Sequence, residues 1–82
     1  MEHRLKCWPE YYEAIKRGLK NFEVRKNDRG FAVGDTLILE EWHPGVSEYT
    51  GSVLPAIKVI YLLKDIPGIE PGYCVMGLEV EG

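Results

Sequence analysis

The sequence predicts a small α+β domain in which five to six short strands form a sheet that curls into a barrel, with one main helix after the first strand. Most of the chain consists of short runs in which apolar and polar residues alternate, as in half-buried strands. One segment near the N-terminus instead has apolar residues at helical spacing. Because 82 residues suffice for only one core, residues 1–82 are expected to form a single domain.

The helix is predicted to begin at Pro9 and to stop at Gly18. Proline suits the first helical turn, and glycine readily adopts the left-handed conformation that ends a helix. The apolar stripe of this helix contains Tyr12, Ile15 and Leu19, extended by Trp8 or Tyr11. We expect its aromatic members Trp8, Tyr11 and Tyr12 to pack as core between the helix and the barrel.

Strands are predicted where the apolar pattern has a period of two residues. They cover residues 3–6, 22–25, 36–42, 53–63 and 73–80, and a short alternation also covers residues 31–33. Residues 27–30 and 33–35 are expected to form tight turns, because they combine Gly with Asn or Asp. Residues 43–51 and 64–72 are predicted to be loops, since they are marked by Pro and Gly.

Composition indicates a cytoplasmic protein without a membrane segment. No apolar run approaches the roughly 20 residues of a membrane span, and the N-terminus lacks the apolar core of a signal peptide. In a reducing compartment, Cys7 and Cys74 are expected to be buried thiols rather than a disulfide. Together with His3 and His43 they lack the close paired spacing of zinc ligands, so neither a metal nor a cofactor is predicted.

Basic residues are concentrated in one short segment of this acidic chain. Residues 16–29 hold six Lys and Arg against two acidic residues, a local charge of +4, which leaves −7 on the remainder and −3 overall. A net negative charge argues against non-specific coating of nucleic acid. A basic patch on such a protein indicates instead one local site for an anionic ligand.

The same segment contains a recognisable motif. Residues 18–25 are Gly-Leu-Lys-Asn-Phe-Glu-Val-Arg, or G-x-K-x-x-E-x-R, which resembles the signature of the ASCH (activating signal cointegrator homology) domain of the PUA-like superfamily. The continuation through residues 25–37 and the Pro-Gly-Tyr at 71–73 are similar to a short, uncharacterised bacterial and phage subset of ASCH-like proteins. This resemblance implies a PUA-like β-barrel with an RNA or nucleotide site in a cleft beside the motif.

The motif side chains suit such a ligand. Glu23 and Arg25 lie two residues apart in a predicted strand and therefore point to the same face, and Lys20 can reach them with its flexible side chain. Arg25 is able to bind a phosphate through two N–H groups, Lys20 adds charge, and Glu23 accepts from a base amino group. Lys26 belongs to the same predicted ligand-binding set. A base is expected to stack on Tyr73, Trp42 or Trp8.

An enzymatic alternative uses Lys20 and Glu23 as catalytic residues. The resemblance implies two activities, since one ASCH branch is an amidohydrolase that deacylates modified cytidine and another is a ribonuclease. In the amidohydrolase branch a threonine nucleophile stands where this chain has Glu23, and a helical insertion before the last strand carries a catalytic acid. Residues 64–72 are too short and too rich in Pro and Gly for that helix, so a Lys/Glu acid–base pair is the remaining hydrolytic possibility.

Two further interpretations remain open. The motif charges can form an ordinary surface ion pair, which contributes under about 1 kcal/mol to stability. Alternatively, the protein is an interaction module that binds a partner through an acidic surface formed by Glu40, Glu41 and Glu48. In each case we expect a monomer.

Overall fold

The chain folds into six strands and one helix, and the computed structural model describes residues 1–80. The elements in chain order are β1 (Glu2–Cys7), α1 (Pro9–Lys16), β2 (Phe22–Lys26), β3 (Thr36–His43), β4 (Glu48–Val53), β5 (Ile57–Lys64) and β6 (Tyr73–Val80). The predicted α+β class, with a single helix after the first strand, is confirmed.

All six strands belong to one sheet, whose main order is β1-β3-β5-β6-β2. The β1–β3 pair is parallel and the other pairs are antiparallel. β5 pairs with the beginning of β3, at Thr36 and Leu37, whereas β4 pairs with its end, at residues 40–43. Within residues 1–80 no ladder joins β1 to β2, so the sheet is not closed into a barrel by backbone hydrogen bonds.

The helix follows the sequence signals at both ends. Pro9 occupies its first position, and Gly18 adopts a left-handed conformation with φ +75° just beyond its end. Tyr12 and Ile15 are buried against the sheet. The prediction that Trp8 and Tyr11 are core residues is wrong, because both are 45% exposed.

The largest difference from the sequence prediction is β4. Residues 43–51 were expected to form a loop, but β3 continues to His43, residues 44–47 turn, and a strand follows at Glu48–Val53. Every residue of β4 is exposed, so its sequence, EYTGSV, carries no apolar alternation from which a strand could be recognised. Val53 consequently belongs to β4, and β5 begins only at Ile57, beyond Pro55.

The short alternation at residues 31–33 is not a strand. Phe31 is buried and Val33 is exposed, and both lie in the connection between β2 and β3. The backbone N–H of Phe31 donates to Asn27 Oδ1, 2.9 Å away, which fixes the turn that inserts the ring. The ring of Phe31 then packs edge-on against His3, with 4.7 Å between the ring centroids.

The core lies on the inner face of the sheet and beneath the helix. Its fully buried large side chains are Ile15, Leu37, Leu39, Ile57, Val59, Cys74 and Met76. In β6 the inward set is Cys74, Met76 and Leu78, as period-two alternation requires. Cys7 and Cys74 are both buried free thiols.

A buried charged network ties β1 to the start of β3. Asp35 Oδ2 lies 2.9 Å from His3 Nε2 and accepts from the Ala32 N–H at 3.0 Å, while Oδ1 accepts from the Met1 amino group at 3.2 Å. The hydrogen bond with His3 is the main cause that lowers the pKa of Asp35, against the opposing effect of burial. The ionised carboxylate therefore stabilises the fold.

We expect Asp35→Asn to lower the free energy of unfolding by about 1 to 3 kcal/mol, because hydrogen bonds to a charged group are lost. The pKa of Asp35 is lowered in the folded state, so its contribution is present above the ordinary value of about 3.9 and is lost as the pH falls through the folded value. Urea denaturation from about pH 5 to about pH 2.5 measures this dependence. The difference in the free energy of unfolding between the wild type and Asp35→Asn should shrink as the pH falls over that range. A difference that stays constant would contradict the network. The matched control is Asp28→Asn, which changes an exposed carboxylate.

Candidate functional site

A cleft of about 800 Å³ opens between β1 and β2, the two ends of the main sheet order. It is lined by residues 5–8 at the end of β1, Tyr11 of α1, residues 19, 20 and 22–26 leading into and along β2, Asp28, Arg29 and Phe31 of the following connection, and Tyr73 of β6. Lys20, Arg25, Lys26 and Arg29, four of the six basic residues in the 16–29 segment, lie here. The charge pattern in the sequence therefore corresponds to one place in the fold.

Strand β2 turns a carboxylate inward. Glu23 is paired with Met76 and Arg25 with Cys74, and both partners on β6 point into the core. Side chains of paired residues share a face of the sheet, so this register directs Glu23 and Arg25 to the inner face. Phe22 is correspondingly left about half exposed on the outer face.

Two cations hold the Glu23 carboxylate, one on each oxygen. Lys20 Nζ donates to Oε1, and Arg25 Nε donates to Oε2 at 2.6 Å. The three side chains are largely withdrawn from solvent, with exposed fractions of 16% for Lys20, 6% for Glu23 and 24% for Arg25. We call these three residues the floor of the cleft. The structure thus brings together the three motif residues that the sequence predicted to act at one site.

Arginine side chains cross the gap between the two ends of the sheet. Arg25 Nη2 donates to the carbonyl oxygen of Lys6 at 2.6 Å, and Arg29 Nη1 donates to that of Arg4 at 3.0 Å. Carbonyls two residues apart in a strand point to the same side, so both acceptors belong to the edge of β1 that faces the cleft. Side-chain hydrogen bonds therefore join β1 to the β2 side of the cleft, where residues 1–80 form no strand ladder.

Cys7 lies at the bottom of the cleft beside the floor. Burial, followed by the nearby charge of Glu23, raises the pKa of this thiol to about 11, although Arg25 and Lys20 act in the opposite direction. At neutral pH the sulfur is therefore a protonated thiol. Since the thiolate is the nucleophile, Cys7 is not poised for covalent catalysis.

Aromatic side chains form one wall of the cleft. The rings of Trp8 and Tyr11 stack with their centroids 6.0 Å apart and an angle of 17° between their planes. Tyr73 also lines the cleft, as predicted for a ligand contact, but Trp42 is not among the lining residues. The ring of Trp42 instead lies beneath Lys6 Nζ, 4.5 Å from it. Apolar residues at helical spacing usually indicate core, so the sequence does not reveal that Trp8 and Tyr11 form a wall of the cleft.

Exposed cations surround the opening of the cleft. We call Lys6, Lys26 and Arg29 the rim; all three are exposed. Within residues 1–80, no carboxylate lies within salt-bridge distance of these three side chains. The rim is thus more available to an external anion than the floor, where Glu23 already contacts both cations.

The residues of the proposed acidic surface lie on the β3–β4 hairpin. Glu40 is 3.8 Å from Arg4 Nη1, and Glu41 Oε1 accepts from the Thr50 hydroxyl at 2.7 Å. Glu48 is exposed at the start of β4. Two of the three carboxylates therefore already have partners in the fold.

Across the described part of the chain, no three His, Cys, Asp or Glu side chains gather where they could hold a metal ion. In the same residues no helix has the length and apolar character needed to cross a membrane.

Residues 2–78 match the family model described as a domain of unknown function, DUF3850. The chain belongs to the DUF3850 family. It is also similar to the "Uncharacterized 12.9 kDa protein in GpA 3'region" of Escherichia phage P2, with 43% identity over 54 residues. That match covers 66% of this chain and 48% of the phage protein, so the aligned region spans about half of the relative's length. The cleft, including its floor and rim, lies within the part that matches the DUF3850 model.

We expect Glu23→Gln to accelerate alkylation of Cys7 by iodoacetamide in this DUF3850 domain. Removing the Glu23 charge lowers the pKa of Cys7 directly and leaves Lys20 and Arg25 free to lower it further. In the wild type, a thiol of pKa about 11 should react on the order of 100-fold more slowly at pH 8 than an unperturbed one.

Mass spectrometry of tryptic peptides gives the alkylation rates of Cys7 and Cys74 separately. Burial raises the pKa of Cys74, and Glu23 is not a cause of that shift, so Cys74 is the internal control. Equal acceleration of both thiols would report general loosening of the fold. An unchanged rate at Cys7 would contradict the electrostatic contact with Glu23.

Proposed function

We propose that this DUF3850 domain is an RNA- or nucleotide-binding module of the ASCH type, with a PUA-like curled barrel whose cleft is the ligand site. The observation that carries the proposal is the floor: the Lys, Glu and Arg of the G-x-K-x-x-E-x-R motif converge, largely buried, beside an aromatic stack and below a cationic rim. The open seam between β1 and β2 supports the ligand site, because it leaves room for a ligand between the two ends of the sheet order.

The energetics of the floor favour a ligand site over a purely structural ion cluster. Taking three charged groups out of water is costly, and a well-packed apolar substitute is often equally or more stabilising. Clefts that bring a few polar and charged groups together beside apolar and aromatic walls are typical ligand sites. A domain of 82 residues has little stability to spare, so retention of the cluster is best accounted for by binding.

The dimensions and surfaces of the cleft suit a nucleotide. Its volume of about 800 Å³ lies within the usual range for small-molecule sites, roughly 300 to 1,000 Å³. Aromatic rings bind any base by stacking, and exposed Lys and Arg side chains bind phosphate. Because the protein has a net charge of −3, its surface outside the basic cleft repels an anionic ligand, and the attraction is confined to the cleft. The proposal includes a cytoplasmic, monomeric protein, since RNA and free nucleotides are available there.

Binding is the function proposed here because no observation specifically favours hydrolysis. Cys7 is protonated at neutral pH, and residues 65–72, which precede the last strand, contain turns and no helix. The possible base Glu23 is already bonded to both flanking cations. The acidic hairpin as a protein-binding surface is the alternative outcome of the experiment below.

A ¹⁵N-resolved NMR titration with mononucleotides and a short single-stranded RNA tests the proposal. We expect chemical-shift changes confined to the cleft, at Lys6, Trp8, Tyr11, residues 19–26, Arg29 and Tyr73, with an affinity that falls as salt is added. Arg25→Ala should abolish these changes, whereas Lys58→Ala, an exposed lysine on β5 outside the cleft, should preserve them. If Arg25→Ala fails to fold, as shown by loss of its dispersed NMR signals, Arg25→Lys takes its place in the test, because it retains the charge and removes the planar guanidinium fork.

No shift with any nucleotide or RNA at millimolar concentration would overturn the proposed function. Shifts that are equally strong in Arg25→Ala, or that lie on the β3–β4 hairpin, would place the site elsewhere. Time-dependent loss of a nucleotide signal in the same sample would establish hydrolysis.

A further inference from the structure

The charges of the cleft differ with depth. At the floor, Glu23 stands between Lys20 and Arg25, and all three side chains are largely buried. At the rim, the cations are exposed and lie beyond salt-bridge distance of any carboxylate in residues 1–80. A phosphate that entered the floor would meet the like charge of Glu23 in contact with both cations, whereas at the rim three exposed cations outnumber the one exposed carboxylate of the lining, Asp28. The phosphate of a ligand therefore belongs at the rim and its base at the floor.

The remaining hydrogen-bonding capacity of the floor has a definite pattern. A carboxylate has about four lone-pair sites, and Glu23 uses one on each oxygen for Lys20 and Arg25. Lys20 also donates to the Phe22 carbonyl at 2.8 Å, so one of its three N–H groups is left to donate to a ligand. Arg25 likewise keeps for a ligand the N–H groups that it does not donate to Glu23 and Lys6. Along the floor the order is donor, acceptor, acceptor, donor.

Guanine has the complementary order of groups. Its O6 accepts, its N1–H and N2–H donate side by side, and its N3 accepts. Cytosine and adenine each place a ring-nitrogen acceptor beside their amino group, which would face a carboxylate oxygen. Uracil offers a single N–H between two carbonyl oxygens. Guanine therefore matches both free acceptor sites of Glu23 and a flanking donor on either side.

We propose that the cleft recognises guanine, with N1–H and N2–H donated to the Glu23 carboxylate, Lys20 directed to O6, Arg25 directed to the sugar edge, and the phosphate at the rim. This inference rests on the proposed function and specifies its ligand. The Trp8–Tyr11 wall supplies a stacking surface that does not discriminate among bases. The proposed ligand is a guanine nucleotide, which is chemically alike at this site whether it is free or part of a single strand of RNA.

Isothermal titration calorimetry with GMP, IMP, AMP, CMP and UMP tests the assignment in the wild-type protein. IMP differs from GMP only by the missing 2-amino group and should bind about tenfold more weakly, since one base-edge contact is lost. The other three nucleotides should bind no better than IMP. Comparison of GMP with tetranucleotides that contain a single G distinguishes free nucleotide from RNA as the source of the base.

Two variants separate the floor from the rim. Glu23→Gln replaces one acceptor by a donor and should remove the preference for GMP over UMP while leaving the salt dependence of binding. Lys26→Ala should weaken every nucleotide by a similar factor and reduce the salt dependence, because it removes a phosphate contact. Binding of all nucleotides with equal affinity, or a GMP preference that survives in Glu23→Gln, overturns the guanine assignment alone. Absence of binding by every nucleotide and every tetranucleotide overturns the proposed function with it.

Discussion

The contact on which the cleft depends is the Glu23 carboxylate held between Lys20 and Arg25. The β2–β6 register turns Glu23 toward the core, where an isolated charge would be strongly disfavoured. Two cations and their hydrogen bonds make that position tolerable. Because Arg25 also donates to the Lys6 carbonyl, the same side chain that neutralises Glu23 holds the end of β1 beside β2. One cluster therefore shapes the site and joins the open ends of the sheet.

The apolar core and the charged cleft are located in different parts of this small fold. The fully buried apolar side chains lie mainly on β3, β5 and β6, and the network of His3 and Asp35 fastens the beginning of β1 to the beginning of β3. The seam between β1 and β2 has no backbone ladder in the described residues. A seam without a ladder is where polar side chains and a ligand can approach the interior without removing strand hydrogen bonds. The position of the cleft thus follows from the strand order.

The sequence predicted those features whose causes are local. Pro9 and Gly18 marked the helix, alternation marked β6, and the spacing of the motif placed Glu23 and Arg25 on one face. It did not reveal β4, which is exposed at every residue and lacks an apolar face. The pairing of His3 with Asp35 depends on parallel contact between segments 32 residues apart. Helical periodicity predicts Trp8 and Tyr11 as core, because it does not indicate how far the sheet extends beneath each turn of the helix.

A double-mutant cycle between Glu23 and Arg25 tests most directly whether this cluster holds the cleft together. The free energies of unfolding of the wild type, Glu23→Leu, Arg25→Met and the double variant give the coupling energy between the two side chains. A largely buried, hydrogen-bonded pair predicts a coupling of about 2 kcal/mol or more, so that the double variant loses less stability than the sum of the two single losses. A coupling below about 0.5 kcal/mol would equal that of an exposed surface pair and would contradict the account.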